Sequence, residues 1–179
     1  MIPGLIILGI TAVAVFSGAS LTSVLGVQAL ALLIWTGALG MAIRRKWPSG
    51  AVFETVTSHK WCAAASVFLM VAHVITAIVV DPQKHRYFLF LEAPPPGAAA
   101  VASFTMGLVA YGLGYYRKRV GMLPGYRWKT FHGLTAFLSA FFGVTHVIWL
   151  GNLIYDPLWQ VTFILLFLGS VVLVAVRLR

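Results

Sequence analysis

Two stretches of the chain, SHKWCAAASVFLMVAH and FHGLTAFLSAFFGVTH, each carry two histidines fourteen positions apart inside an apolar run: His59 and His73 in the first, His132 and His146 in the second. On an α-helix, fourteen steps of about 100° fall about 40° short of four full turns, so both rings of a pair project from nearly one face. The rise between them is about 21 Å at about 1.5 Å per residue. That is most of the roughly 30 Å hydrocarbon core of a bilayer. A helix with one imidazole near each membrane face, used twice, is a frame for two cofactors stacked across the membrane.

The chain can supply such helices, because 60% of its 179 residues are hydrophobic and only 9% are charged. A soluble domain of ordinary composition is excluded, and an integral membrane protein is expected. The formal charge of +9 would suggest nucleic acid in a soluble protein. In a membrane protein Lys and Arg gather in cytoplasmic loops, so no nucleic-acid partner is expected. The single cysteine, Cys62, excludes an internal disulfide and a Cys-x-x-Cys-His attachment of c-type haem. The opening MIPGLIILGI has no basic n-region and is read as mature sequence.

Hydropathy and breakers predict an all-α, single transmembrane domain over residues 1–179, a six-helix bundle with spans at about residues 2–17, 20–43, 53–80, 97–116, 128–150 and 157–176. Ser17, Gly18, Ala19 and Ser20 break the first apolar run, and Arg44, Arg45, Lys46, Trp47, Pro48 and Ser49 form a basic stop. Asp81 and Pro82 close the third span. The loop that follows holds Lys84, His85, Arg86 and the triple proline Pro94, Pro95 and Pro96. Gly151, Asn152 and Asp156 mark the last turn, with Pro157 suited to the first position of a helix.

With six spans and the amino terminus inside, Arg44, Arg45, Lys46, Lys60, Arg117, Lys118, Arg119, Arg127, Lys129, Arg177 and Arg179 lie on the cytoplasmic side, and only Lys84 and Arg86 lie outside. This positive-inside bias predicts two cytoplasmic termini. The third and fifth spans then run in parallel from cytoplasm to outside. His59 and His132 share the inner level, and His73 and His146 the outer one.

Two imidazoles at one level, with no thiolate and no third nitrogen, suit six-coordinate haem iron better than tetrahedral zinc. Two b-type haems between the third and fifth helices are therefore expected, with these four histidines as axial ligands. Room for the porphyrin is expected along the ligand faces. Positions three, four and seven after His59 are Cys62, Ala63 and Ser66; after His132 they are Thr135, Ala136 and Ser139. The bulk of Phe68, Phe137 and Phe141 lies at other angles. Small residues also line ordinary membrane helix interfaces.

The second nitrogen of each ring needs an acceptor. Carbonyls one turn back are the candidates, with the Thr55 hydroxyl also available to His59. His85 fits no pair and reads as a solvated loop residue, or as a partner for a haem propionate or an acceptor at the outer face. Lys60, Arg127 and Lys129 serve either inner propionates or topology. Trp47, Trp61, Trp128 and Trp149 read as an interfacial aromatic belt.

The histidine quartet, with WKTFHG leading into the fifth span, resembles the ferric reductase-like transmembrane domain family over about residues 53–179. That family includes NADPH oxidases, iron reductases and the haem subunit that partners periplasmic methionine sulfoxide reductase. The resemblance implies six helices, stacked b haems held by His59 with His132 and by His73 with His146, and electron flow from a cytoplasmic donor to an outer acceptor. The fused oxidases carry flavin and NAD(P)H domains after the last helix. Here no Gly-rich dinucleotide fingerprint is found. The donor is thus expected to be a separate flavoprotein, a reduced flavin or a quinol.

The expected function is that of a di-haem cytochrome b, an oxidoreductase electron-transfer subunit in a bacterial inner membrane, with an acceptor or partner subunit at its outer face. Two competing readings use the same residues. One is a quinone-reactive cytochrome b anchoring a respiratory complex. The other is a non-redox transporter whose histidines titrate.

Overall fold

The computed structural model describes residues 9, 20–44, 52–84, 95–116 and 125–150. Its principal elements are four helices, α1 (Leu21–Arg44), α2 (Val52–Val80), α3 (Pro95–Tyr115) and α4 (Gly125–Leu150), with a 3-10 turn over Pro82–Lys84. All four are long and apolar enough to cross a bilayer, which fits an integral membrane protein. The expected six-helix bundle is corrected accordingly: the described residues form four membrane-length helices. The predicted last span, 157–176, lies outside the described residues, as does the first, 2–17, apart from Gly9.

Local chemistry accounts for the helix ends. Ser20 caps α1, its Oγ accepting from the Ser23 N–H at 3.2 Å while its carbonyl accepts from Val24 at 3.0 Å. Helix α2 stops at Val80. Asp81 then accepts from Gln83 N–H through Oδ1 and from Lys84 N–H through its carbonyl, and pairs with the Lys84 ammonium at 3.8 Å. Helix α3 begins two residues earlier than expected, because Pro95 and Pro96 occupy its first turn, where a missing N–H has no intrahelical partner to lose.

The described residues up to His73 belong to one compact unit and those of Val74–Leu150 to a second. In the first unit α1 and α2 run antiparallel. Residues 27–32 of α1 are buried without interruption. Ser66 on α2 donates to the Ala29 carbonyl at 2.9 Å and ties the two helices at mid-height.

In the second unit α3 and α4 are also antiparallel. Ala99, Ser103 and Gly107, four residues apart, make a buried small-residue seam on α3. At its centre Ser103 donates to the Ser139 carbonyl and Ser139 to the Ser103 carbonyl, both at 2.8 Å. Ser139 is fully buried, so a Ser139→Leu side chain has no room. It is expected to destabilise this hairpin by about 1–3 kcal/mol through overpacking. Ser139→Ala is expected to cost about 0.6 kcal/mol, the usual worth of such a bond in a membrane. Denaturant titration in detergent micelles distinguishes the two.

Candidate functional site

All four histidines are half-buried, and each turns Nδ1 toward a backbone carbonyl of the antiparallel helix in its own unit. His59 meets Thr36 at 2.9 Å and His73 meets Thr22 at 2.7 Å. His132 meets Ala110 at 2.9 Å and His146 meets Pro96 at 2.7 Å. A carbonyl only accepts, so Nδ1 carries the proton and donates. In the neutral ring the lone pair then belongs to Nε2. The expected acceptors were carbonyls one turn back on the same helix. The carbonyls come instead from across the hairpin, since those of a helix's own preceding turn are engaged along its axis.

Glycine makes three of these approaches possible. In a helix the Cβ of residue i+4 tilts back over the carbonyl of residue i. Gly26 stands four after Thr22, Gly40 four after Thr36 and Gly114 four after Ala110. A Cβ built on Gly26 would lie 2.9 Å from His73 Cε1 and Nδ1. On Gly40 or Gly114 it would lie 3.3 Å from Cε1 of His59 or His132. At the fourth seat Ala100 occupies that place, and the His146 bond forms beside it.

The two units are repeats of one design. His59, Ser66 and His73 recur 73 positions later as His132, Ser139 and His146; Thr22, Ala29, Thr36 and Gly40 correspond at 74 positions to Pro96, Ser103, Ala110 and Gly114. Each corresponding pair makes the same contact. The acceptors and their glycines were missed in the sequence, although Gly26 and Gly40 are themselves fourteen apart and announce the histidine spacing on the facing helix.

The small residues flanking the histidines have a different use from the one expected. Cys62 is 4%, Ser66 1% and Ser139 0% exposed, whereas Phe68, Phe137 and Phe141 are 72%, 57% and 54% exposed. The predicted faces are correct in angle, but Ser66 and Ser139 bond to the neighbouring helix and the phenylalanines are exposed. The room expected for a porphyrin along Ser66 and Ser139 is filled by the hairpins' own contacts.

The expected haem positions between the third and fifth helices are likewise corrected. Among the described residues no group of three or more His, Cys, Asp or Glu could hold a metal ion, and each histidine makes a carbonyl bond within its own unit. Lys60, Arg127 and Lys129 are exposed, while His85 and Trp47 lie outside the described residues. Trp61 and Trp149 are exposed. Trp128 departs from a simple belt residue: its indole N–H donates to the Leu113 carbonyl at 2.7 Å and its ring stacks on His132. Comparison with protein-family models, curated proteins and solved structures finds no match, and nothing in it identifies the ferric reductase-like family.

Proposed function

We propose that this chain is a b-type cytochrome of the membrane, in which His59, His73, His132 and His146 would bind haem iron through Nε2. It passes electrons from a cytoplasmic donor (a flavoprotein, a reduced flavin or a quinol) to an outer-face acceptor. The observation that carries this reading is the Nδ1–H···O=C bond made four times over. A ligating imidazole commonly donates its second N–H to a carbonyl, which fixes the tautomer, orients the ring and raises the basicity of the other nitrogen. Histidines in hydrocarbon are costly and point to function. The donor set of neutral imidazoles fits haem iron.

A bound haem would supply one-electron redox chemistry. The chain's own part is to hold each Nε2 lone pair at a set height, keep the ring from turning and exclude water. The clustering of Lys and Arg before α2 and before α4 supports a cytoplasmic side for those two loops.

Haem content and a reduced-minus-oxidised spectrum of the purified chain test the reading. Two haems per chain are expected, falling to one in His73→Ala or His146→Ala. A colourless protein after haem supply sinks the proposal and leaves the histidines as hairpin clasps. Inhibition of haem reduction by a quinol analogue would identify the donor as a quinol.

A further inference from the structure

We infer that Trp128 is a positioning residue that sets the ring plane of His132 and biases the inner level toward its oxidised state. The inference rests on the haem-ligand reading above. Trp128 precedes His132 by one turn, as i and i+4 neighbours on a single helix face. The two rings are nearly parallel, with centroids 5.2 Å apart and planes 8° apart. Both hang from α3: the indole N–H on the Leu113 carbonyl at 2.7 Å and the imidazole Nδ1–H on the Ala110 carbonyl at 2.9 Å. Neither ring can turn without breaking a hydrogen bond and the stack together.

The repeat sharpens the point. The position corresponding to Trp128 in the first unit is Thr55, so this stack is an addition to a design otherwise kept. An indole face is the negative end of a quadrupole and attracts positive charge. An imidazole bound to iron is more positive when the iron is ferric. The stack therefore stabilises the ferric form and lowers the reduction potential at the inner level, which makes transfer of the electron to the outer level more favourable.

The test compares Trp128→Leu and Trp128→Phe in the full haem-loaded chain by redox titration and ferric electron paramagnetic resonance, and follows exchange of the His132 Nδ1 proton by NMR in haem-free protein. Trp128→Leu is expected to keep two haems, move one of two ferric signals and raise one of two midpoints. The ferric-over-ferrous ratio changes by up to about tenfold, which is about 59 mV for one electron. Trp128→Phe, which keeps a stacking ring, shifts less. In haem-free protein the His132 Nδ1 proton, held on the Ala110 carbonyl, exchanges with solvent slowly in wild type and Trp128→Phe and faster in Trp128→Leu.

Unchanged signals, midpoints and proton exchange in Trp128→Leu overturn the inference. A wild-type chain that binds no haem overturns the redox role together with the reading beneath it. The NMR comparison then still decides whether Trp128 positions the ring.

Discussion

Gly26→Ala is expected to destabilise the first hairpin and to remove or displace the outer haem, whereas the same change at Gly37 stabilises the protein. In a helix interior alanine is favoured over glycine by about 1 kcal/mol. Gly37 has nothing within 4 Å of the added methyl, so that gain is realised there. At Gly26 the methyl would stand 2.9 Å from two atoms of the His73 ring. The ring must swing off the Thr22 carbonyl, or the helices must part at the cost of their contacts. Overpacking of this kind costs about 1–3 kcal/mol, which reverses the sign of the propensity gain.

Gly40→Ala and Gly114→Ala, with the nearest ring atom at 3.3 Å, fall between the two. Thermal unfolding in detergent and haem content, measured on the four variants, give the order. Ala100 stands four residues after Pro96, whose carbonyl still meets His146, so a hairpin assembled with alanine at that position can close its clasp. A Gly26→Ala protein as stable as Gly37→Ala, with its full haem content, would mean that the first hairpin adapts as the second has and that glycine is not required.

Much of this was legible in the sequence for a simple reason: hydropathy and breakers act locally. The four described spans fall within three residues of their expected bounds, and the largest discrepancy, at the start of α4, comes from reading Gly125 as turn when it opens the helix. The helical period correctly put the histidines of each pair on one face and Phe68, Phe137 and Phe141 on another. A period identifies a face but not what lies against it. The stripe around Ser66 and Ser139 states only that something comes close, and a neighbouring helix satisfies it as well as a porphyrin does. Backbone acceptors carry no side-chain signature, so Thr22, Thr36 and Ala110 were invisible except through their glycines, and Pro96, with Ala100 four residues on, lacked even that sign. The start of α3 was misplaced because proline was taken as a breaker at a position where it is an initiator.

The fourteen-residue interval predicts its own failure. One alanine inserted between Ser66 and Val67 leaves His59 on the Thr36 carbonyl but turns His73 by about 100° and moves it about 1.5 Å along the axis. Both changes take it out of reach of Thr22, so the outer haem is expected to be lost while the inner one stays. Four residues inserted there, matched by four in α1 between Ala29 and Leu30, make both intervals eighteen. Eighteen steps of about 100° are five full turns, so the rings again share a face and the carbonyls on α1 advance with them. Made together with the same four-residue insertions after Ser103 and after Ser139 in the second hairpin, so that His146 advances by the same about 6 Å, the double insertion should therefore recover the haem content that the single alanine loses. Equal haem content in wild type and the single-alanine insertion would show that the spacing of His59 and His73 has no part in holding the cofactor. Loss in both insertions, with the hairpin still folded, would place the constraint in the depth of the membrane instead of in the angle.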